Sequence, residues 1–182
     1  MSRVTAGGPS APAVFALAET ATWPPALNPA AQQVLTEIEL WSEQFGRGEL
    51  HPAGGRWPWL SRGERFAEER TGVRAAGLGH RPVAGTLHAT DRRARVVGAR
   101  SRMLREWSFG ELAQVSALGN WGGLVLVRPG GETELVVAAA PAPSWRDAAG
   151  WLKIEAAFAA CAGRLELWMA DLPHRLAVAA GG

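Results

Sequence analysis

A run of arginines between positions 92 and 105 is the part of this sequence best suited to chemistry. It comprises Arg92, Arg93, Arg95, Arg100, Arg102 and Arg105. The nearest acidic residues, Asp91 and Glu106, stand just outside the run, so the arginines have no acidic partner within it. A guanidinium group can bind two phosphate oxygens at once, and on a strand Arg93 and Arg95 share one face. The run therefore predicts a candidate site for anionic lipid headgroups, with nucleic acid as a less favoured ligand.

The same arginines have an alternative interpretation as an ordinary solvated face of a sheet. The chain has 19 Lys and Arg residues, of which only Lys153 is lysine, and it is rich in Ala and Gly and lacks Tyr. This composition resembles that of a GC-rich bacterial genome, in which arginine is the default cation. The formal charge is only +2, so the molecule as a whole does not strongly attract polyanions.

Nine tryptophans are the second unusual feature of the chain. Three of them stand in predicted turns or loops, namely Trp57, Trp59 and Trp121. Indole rings are amphipathic, and exposed ones anchor proteins at partner surfaces or membrane interfaces. These three are therefore candidate interaction residues, and the alternative is that each fills a gap between a loop and the core.

No combination of residues predicts a catalytic, cofactor or metal site. The four histidines, at positions 51, 80, 88 and 174, lack carboxylate or thiol neighbours at metal-ligand spacing. No nucleophile elbow, phosphate-binding glycine loop or dinucleotide fingerprint occurs. His88 shares a strand face with Thr86 and Thr90 and is expected to point outward. We predict no cofactor, no metal and no catalysis, and an unrecognised enzyme remains the third alternative after protein and lipid binding.

Cys161 is the only cysteine, which excludes an intramolecular disulfide and indicates a reducing compartment. It lies on the apolar side of a predicted helix, where we expect it to be buried. An apolar run from Pro12 to Ala18 is too short to span a membrane, and only Arg3 precedes it as a basic residue. We therefore predict a cytoplasmic protein, with peripheral attachment to a membrane as the alternative.

The first part of the chain divides into a leader, a helix and a connector. Residues 1–27 are rich in Ala, Pro, Gly and Ser and are expected to form a flexible leader. Residues 28–59 are expected to form a helix and an irregular connector. The helix begins with Asn28 as N-cap and Pro29 at its first position, and its apolar residues fall on one stripe.

The middle of the chain predicts an antiparallel sheet. Apolar runs separated by turn residues predict strands at 85–90, 93–98, 105–109, 112–118, 123–128 and 132–138, after a less clear first strand within 64–76. Asp91 is expected to accept a hydrogen bond from its own downstream backbone in the first turn. Both faces of the strand at 123–128 are apolar, so the N-terminal helix is expected to cover its outer side.

The last helix begins at a capping box formed by Ser144 and Asp147. A seam of apolar residues repeats along it: Trp151, Ile154, Phe158, Cys161, Leu165, Trp168 and Leu172. Whether one helix continues past Gly163 stays open, and Pro173 is expected to end it. The predicted domain therefore spans residues 60–172, and residues 173–182 form a tail.

Three segments of the chain resemble the pleckstrin-homology-like (PH-like) superfamily, specifically its GRAM-like and bacterial branches. They are Leu60 to Glu64, similar to an opening L-x-x-G-E; Gly85 to Arg93, similar to a G-x-L-x-x-T-D-x-R hairpin; and Trp107 to Val115, similar to a W-x-Y-x-x-I-x-x-V strand. The resemblance implies an α+β fold: a PH-like antiparallel β-barrel of about seven strands capped by a C-terminal helix, here with an extra N-terminal helix. It also implies a non-catalytic module that binds a protein partner or assembles with itself, or that attaches to anionic lipid.

Overall fold

The computed structural model describes residues 26–77, 79–140 and 143–181, in which helices pack on one seven-stranded antiparallel sheet. The strands are β1 (Phe66–Gly77), β2 (His80–Thr90), β3 (Arg93–Val97), β4 (Met103–Ser108), β5 (Gln114–Ala117), β6 (Gly123–Val127) and β7 (Thr133–Ala138). The helices are α1 (Pro29–Arg47), α2 (Trp145–Cys161) and α3 (Leu165–Ala180). None of these helices is long and apolar enough to cross a membrane.

The predicted α+β class, with about seven antiparallel strands, a C-terminal helix and an extra N-terminal helix, is confirmed. The strand order is β4-β3-β2-β1-β7-β6-β5. Consecutive strands are neighbours except β4 and β5, and β7 returns to pair with β1. The sheet is open, because β4 and β5 form its two edges and no pairing joins them within the described ranges. The predicted leader, residues 1–27, lies outside the described residues up to position 25.

The unclear first strand is a continuous strand of 12 residues, β1. It pairs with β2 over its whole length and with β7 from Val73 to Gly77, so it joins the two halves of the sheet. The register with β2 shifts between Arg70 and Val73, and Gly72 has a φ of 65°. Thr71 and Gly72 are therefore a β-bulge, a feature that bends a strand without ending it.

The first predicted turn is correct, but the hydrogen bonds assigned to it are not. Thr90 Oγ1 accepts the bonds from the N–H groups of Arg92 and Arg93, each at 3.2 Å. Asp91 Oδ1 instead accepts a bond from the N–H of Arg65, at 2.8 Å, on the adjacent segment just before β1. The Asp91 carboxylate therefore binds the N–H of Arg65 instead of a backbone N–H of its own turn.

Helix α1 begins and ends with the predicted chemistry. Asn28 Oδ1 accepts a hydrogen bond from the N–H of Ala31 at 2.7 Å, and Gly48 ends the helix with a φ of 67°. The helix does not cover β6, as the sequence suggested, but packs on α2 and α3. Trp41, near its end, donates a hydrogen bond to the carbonyl of Ala67 at 2.9 Å, which attaches the helix to β1.

Two apolar clusters form the core. One lies between the sheet and α2 and contains Trp107, Leu124, Trp151, Ile154 and Phe158. The other joins the three helices and contains Val34, Ile38, Leu152, Leu172 and Leu176. The predicted seam along the C-terminal helices is thus part of the core.

Two details of the C-terminal region differ from expectation. Helix α2 ends at Cys161 and Gly163 turns the chain with a φ of 70°, so Cys161 is exposed rather than buried. Helix α3 then continues through Pro173 to Ala180, so the predicted helix end at Pro173 is wrong. Leu172 and Leu176 are fully buried on either side of the proline. Their burial opposes the roughly 3 kcal/mol that an internal proline costs a helix.

Candidate functional site

Two of the predicted tryptophans and two of the predicted arginines meet on the outer face of β2 and β3. Trp57 stacks on His88 at 4.0 Å between ring centroids and on Trp59 at 5.0 Å. The guanidinium groups of Arg95 and Arg93 lie 4.3 and 5.0 Å from the centroid of the Trp59 ring. We call these five residues the aromatic–arginine cluster. It combines stacking with cation–π contacts, which fasten the connector between α1 and β1, residues 48–65, onto the sheet.

Arg93 has an acidic partner that its neighbourhood in the sequence did not reveal. Its Nε and Nη2 atoms donate to the two carboxylate oxygens of Glu64, each at 2.8 Å. The same Nη2 also reaches the carbonyl of Trp59 at 3.2 Å. Glu64 stands 29 positions away in the chain, so only the folded connector brings the pair together.

The Glu64 carboxylate has a fully buried side chain and a dense set of donors. The hydroxyl of Thr90 donates to it at 2.6 Å, and the N–H of Ser61 at 2.9 Å. Burial alone would raise the pKa of Glu64, but the hydrogen bonds from Arg93, Thr90 and Ser61 and the charge of Arg93 outweigh it. Together they lower this pKa to about 2. Glu64 is therefore charged at neutral pH and stabilises the folded connector.

Two further arginines of the run are also paired. Arg95 forms a short ion pair with Glu106 on the neighbouring strand. Arg105 donates to the buried carboxylate of Glu134 at 2.9 Å, and Trp107 donates to the same group. The interpretation of the run as arginines without acidic partners is thus wrong for Arg93, Arg95 and Arg105.

The other three arginines of the run are exposed and have no ion pair within the part of the chain that the structure describes. Arg92 precedes β3, whereas Arg100 and Arg102 follow it. The five residues of β3 span about 16 Å, so the run does not form one continuous patch. Whether these three bind an anion remains a prediction.

His88 is the residue that sequence reasoning misplaced most clearly. It was expected to point outward into solvent, but the connector covers that face and leaves the residue only 8% exposed. Its Nδ1 atom is buried without a hydrogen-bond partner among the described residues. Burial, followed by the charge of Arg95, lowers the pKa of His88 to about 4. Neither His88 nor any other described residue belongs to a group of side chains that could hold a metal ion.

The low pKa of His88 predicts sensitivity to mild acid. The unfolded chain takes up a proton near the ordinary pKa of 6.5, whereas the folded chain resists until about pH 4. The free energy of unfolding should therefore fall by about 2–3 kcal/mol between those pH values. Urea titrations at several pH values should show this slope in the wild type and in His80→Phe, an exposed control on the same strand. The slope should be much smaller in His88→Phe, and an equal slope there would contradict the assignment.

A second feature of the surface is a groove between β5 and α3. One end is a cavity of about 510 Å³ lined by Gln114, Val115 and Ser116 of β5 and by Leu167 and Trp168 of α3. The other end is a cavity of about 420 Å³ lined by Ala117, Gly119, Trp121, Val178 and Ala179. The two cavities share β5 and α3 as lining elements and are taken together as one surface, to which α2 adds Glu155, Phe158 and Ala159. We call it the β5–α3 groove.

The walls of the β5–α3 groove combine a strand edge with exposed apolar side chains and with the polar residues Arg164, Asp171 and His174. β5 pairs with β6 on one side, and no described strand lies on its other side. Leu167 and Val178 are 72% and 62% exposed, which is high for aliphatic residues. Trp121, the third tryptophan candidate, has a φ of 57° and packs against Trp145 with ring centroids 5.8 Å apart. The left-handed conformation of a bulky residue is uncommon and holds the indole at the mouth of the groove.

One point on the β5 edge is already occupied. The N–H of Ala117 donates to Glu155 Oε2 of α2 at 3.1 Å, and Glu155 pairs with Arg175 of α3 at 2.6 Å. In a strand, alternate residues direct their backbone groups to the same side. The N–H and carbonyl of Val115 therefore also point away from β6, into the groove that Val115 lines.

Among the known proteins compared with this chain, the similar ones are solved structures. No protein-family model matches the sequence, and no curated protein matches it. The chain is similar to the apo structure of the activated truncation of Vav1, with 8% identity and a TM-score of 0.43 over 67% of this chain and 33% of that one. It is also similar to the N-terminally truncated linker-DH/PH domains of p115-RhoGEF, with 8% identity and a TM-score of 0.34 over 81% of this chain and 41% of that one. The chain thus spans less than half the length of either structure.

Proposed function

We propose that this protein is a non-catalytic interaction module that binds an extended segment of a protein in the β5–α3 groove. The observation that carries the proposal is the edge of β5, unpaired among the described strands, facing a helix wall on which Leu167, Trp168 and Val178 alternate with polar residues. A GRAM-like or bacterial member of the PH-like class, located in the cytoplasm, is part of the same proposal.

An extended peptide suits the dimensions of the groove. From Arg164 to Ala179 the α3 wall is about 22 Å long, the length of about seven residues of extended chain. Main-chain bonds to an exposed strand edge provide affinity, and side-chain pockets on alternate positions provide specificity. Leu167, Trp121 and Val178 offer such apolar contacts on a surface that would otherwise expose them to water.

The structural use of Glu64 and His88, whose pKa values are strongly lowered, also favours a binding role. Perturbed pKa values are common at catalytic sites, but ion pairs that stabilise the fold perturb them as well. Glu64 is held by Arg93, Thr90 and Ser61, and His88 lies beneath Trp57. Both side chains attach the connector to the sheet, which supports a structural rather than a catalytic use.

Selection of peptides from a displayed random library tests the proposed function. Amide resonances of β5 and α3 should shift when a selected peptide is added to the full chain. Leu167→Glu should weaken binding at least about tenfold, or 1.4 kcal/mol, because it places a charge in the apolar wall. Met103→Glu is the matched control, since Met103 is 51% exposed but lies on the opposite edge strand, β4. Equal weakening by both substitutions, or shifts confined to other surfaces, would exclude the groove.

Attachment to anionic lipid is the second candidate, and the exposed Arg92, Arg100 and Arg102 favour it. Each can contribute about 1 kcal/mol beside an anionic leaflet, and their separation keeps the total small. Arg100→Glu with Arg102→Glu should therefore reduce co-sedimentation with phosphatidylserine vesicles at low salt, without changing the thermal stability. Binding that is unaffected by this double substitution, or by added salt, would contradict lipid attachment through the arginine run.

A further inference from the structure

We propose that the cavity between the end of α1 and the connector binds a phosphate monoester that carries an apolar group. This inference goes beyond the proposed function, because the cavity shares no lining residue with the β5–α3 groove. Three observations support it: the size of the cavity, the apolar part of its lining and a surplus of arginines around it.

The cavity has the size and the apolar surface of a small-molecule site. Its volume is about 600 Å³, within the range of roughly 300–1,000 Å³ that is usual for such sites. Its walls come from the last turn of α1, the connector and the first residue of β1. Leu50, Leu60 and Phe66 line it and are only half-buried, so a ligand that covers them removes apolar surface from water.

The carboxylates beside the cavity are already neutralised. Residues 47–65 and 91–93 contain three carboxylates, and each of them accepts from an arginine of the same two segments. The pairs are Arg47–Glu49 at 2.9 Å, Arg65–Asp91 at 3.1 Å and Arg93–Glu64 at 2.8 Å. The carboxylates therefore do not compensate any further arginine at this end of the molecule.

Three more arginines stand around the cavity, all exposed and without an ion pair among the described residues. Arg56 lines it, and Arg62 lies between the lining residues Ser61 and Gly63. The Nη2 atom of Arg92 lies 3.8 Å from the point that a Cβ carbon on Gly63 would occupy. Residues 47–65 and 91–93 thus hold six arginines against three carboxylates, a surplus that exceeds the net charge of +2 of the whole chain.

The remaining polar groups of the lining do not oppose an anion. The end of a helix carries partial negative charge, but the carbonyls of Gln44 and Phe45 already accept from the N–H groups of Glu49 and Gly48 at 3.0 and 3.1 Å. His51, the other titratable residue of the lining, adds no negative charge in either protonation state.

A phosphate monoester matches this combination of groups. It carries about 1.5 to 2 negative charges at neutral pH, and its three terminal oxygens are strong acceptors. A guanidinium group can bind two of these oxygens at once. With the phosphate held by Arg56 and Arg92, an apolar substituent can lie on Leu60 and Phe66.

Titration of the full chain with phenyl phosphate, followed through amide resonances, tests this inference. Resonances around the cavity should shift and saturate, and Arg56→Gln and Arg92→Gln should each weaken binding about tenfold, the loss expected for a charge-assisted hydrogen bond. Arg74→Gln is the matched control, because Arg74 is exposed, has no ion pair in the described structure and lies on β1 about 25 Å beyond Phe66. Equal weakening by the control, or shifts spread over the whole surface, would overturn the inference.

Inorganic phosphate tests the contribution of the apolar lining. Phenyl phosphate should bind at least about fivefold more tightly than inorganic phosphate, because its ring covers apolar side chains. Equal affinities would overturn the assignment of an apolar group to the ligand. Melting temperatures of the arginine variants equal to that of the parent would show that the loss of binding is not a loss of folding.

Vesicles that contain phosphatidic acid identify the source of the monoester, because the headgroup of this lipid is itself a phosphate monoester. Co-sedimentation that Arg56→Gln abolishes would assign the cavity to a lipid headgroup. Binding of phenyl phosphate without co-sedimentation would assign it to a free phosphorylated molecule. Binding of neither would overturn the inference and leave the proposed function of the β5–α3 groove untouched, since that function is tested with peptides.

Discussion

Replacing Arg93 with methionine should lower the free energy of unfolding by about 3–5 kcal/mol, because the Glu64 carboxylate would remain buried without its main partner. The Glu64 side chain has no exposed surface, and both of its oxygens accept from Arg93 at 2.8 Å. Methionine retains much of the packing against Trp59 while removing the charge. Arg92→Met is the matched control: the same change one residue earlier, at an exposed side chain without an ion pair in the described structure, should cost less than about 0.5 kcal/mol.

The pH dependence gives an independent test of the same pair. The pKa of Glu64 is about 2 in the folded chain against an ordinary value of 4.5, so its stabilising effect is complete above pH 4.5 and is lost as the pH falls toward 2. In Arg93→Met only the hydrogen bonds from Thr90 and Ser61 still oppose the effect of burial on Glu64, so the pKa of Glu64 should rise. Stability in that variant should consequently decline at a higher pH than in the wild type. Adding Glu64→Gln should recover part of the loss, because no charge then remains buried. A double variant no more stable than Arg93→Met alone would contradict this account.

Replacing Trp151 with alanine should also cost about 3–5 kcal/mol, the range expected for removing a large aromatic side chain from a core. Trp151 is fully buried between the sheet and α2. The guanidinium of Arg70 lies 4.5 Å from its ring centroid, and Arg70 also pairs with Asp147 at 3.1 Å. The substitution therefore removes an apolar contact and a cation–π contact together.

A conservative substitution separates the contribution of the ring from that of the indole nitrogen. Trp151 Nε1 is buried and has no hydrogen-bond partner among the described residues. Trp151→Phe should therefore cost well under half as much as Trp151→Ala, since it keeps an aromatic ring and loses no hydrogen bond. Denaturation in urea, followed by circular dichroism, measures both values. A change below about 0.5 kcal/mol for Trp151→Ala would remove α2 from the core as we describe it.

The features predicted correctly from the sequence depend on neighbours within a few positions. Asn28 and Ser144 cap the two predicted helix starts, because a capping side chain bonds to a backbone group three residues away. The apolar seam places Trp151, Ile154 and Phe158 on one face of α2, as helical geometry requires. Most strand positions follow in the same way from alternation and turn residues.

The features predicted wrongly depend on contacts between distant parts of the chain. His88 lies on the strand face that the pattern indicated, but a connector some 30 positions earlier covers that face and buries it. Pro173 would end an isolated helix, yet α3 continues because Leu176 reaches the helical core. Arg105 has no acidic neighbour inside the arginine run, and its partner Glu134 comes from a strand 29 positions later.

The sequence by itself thus determined the α+β class, the number of strands, the helix caps and the apolar seam, since each follows from short-range geometry and periodicity. Only the tertiary structure decided which arginines of the run pair with acidic residues, which histidine is buried and where a groove lies. Ion pairs such as Arg93–Glu64 and the joining of the β5 edge to the α3 wall exist only once the chain has closed long loops. The residues that form such contacts are those that lie close together in the folded chain. The local pattern of residue types does not contain that distance.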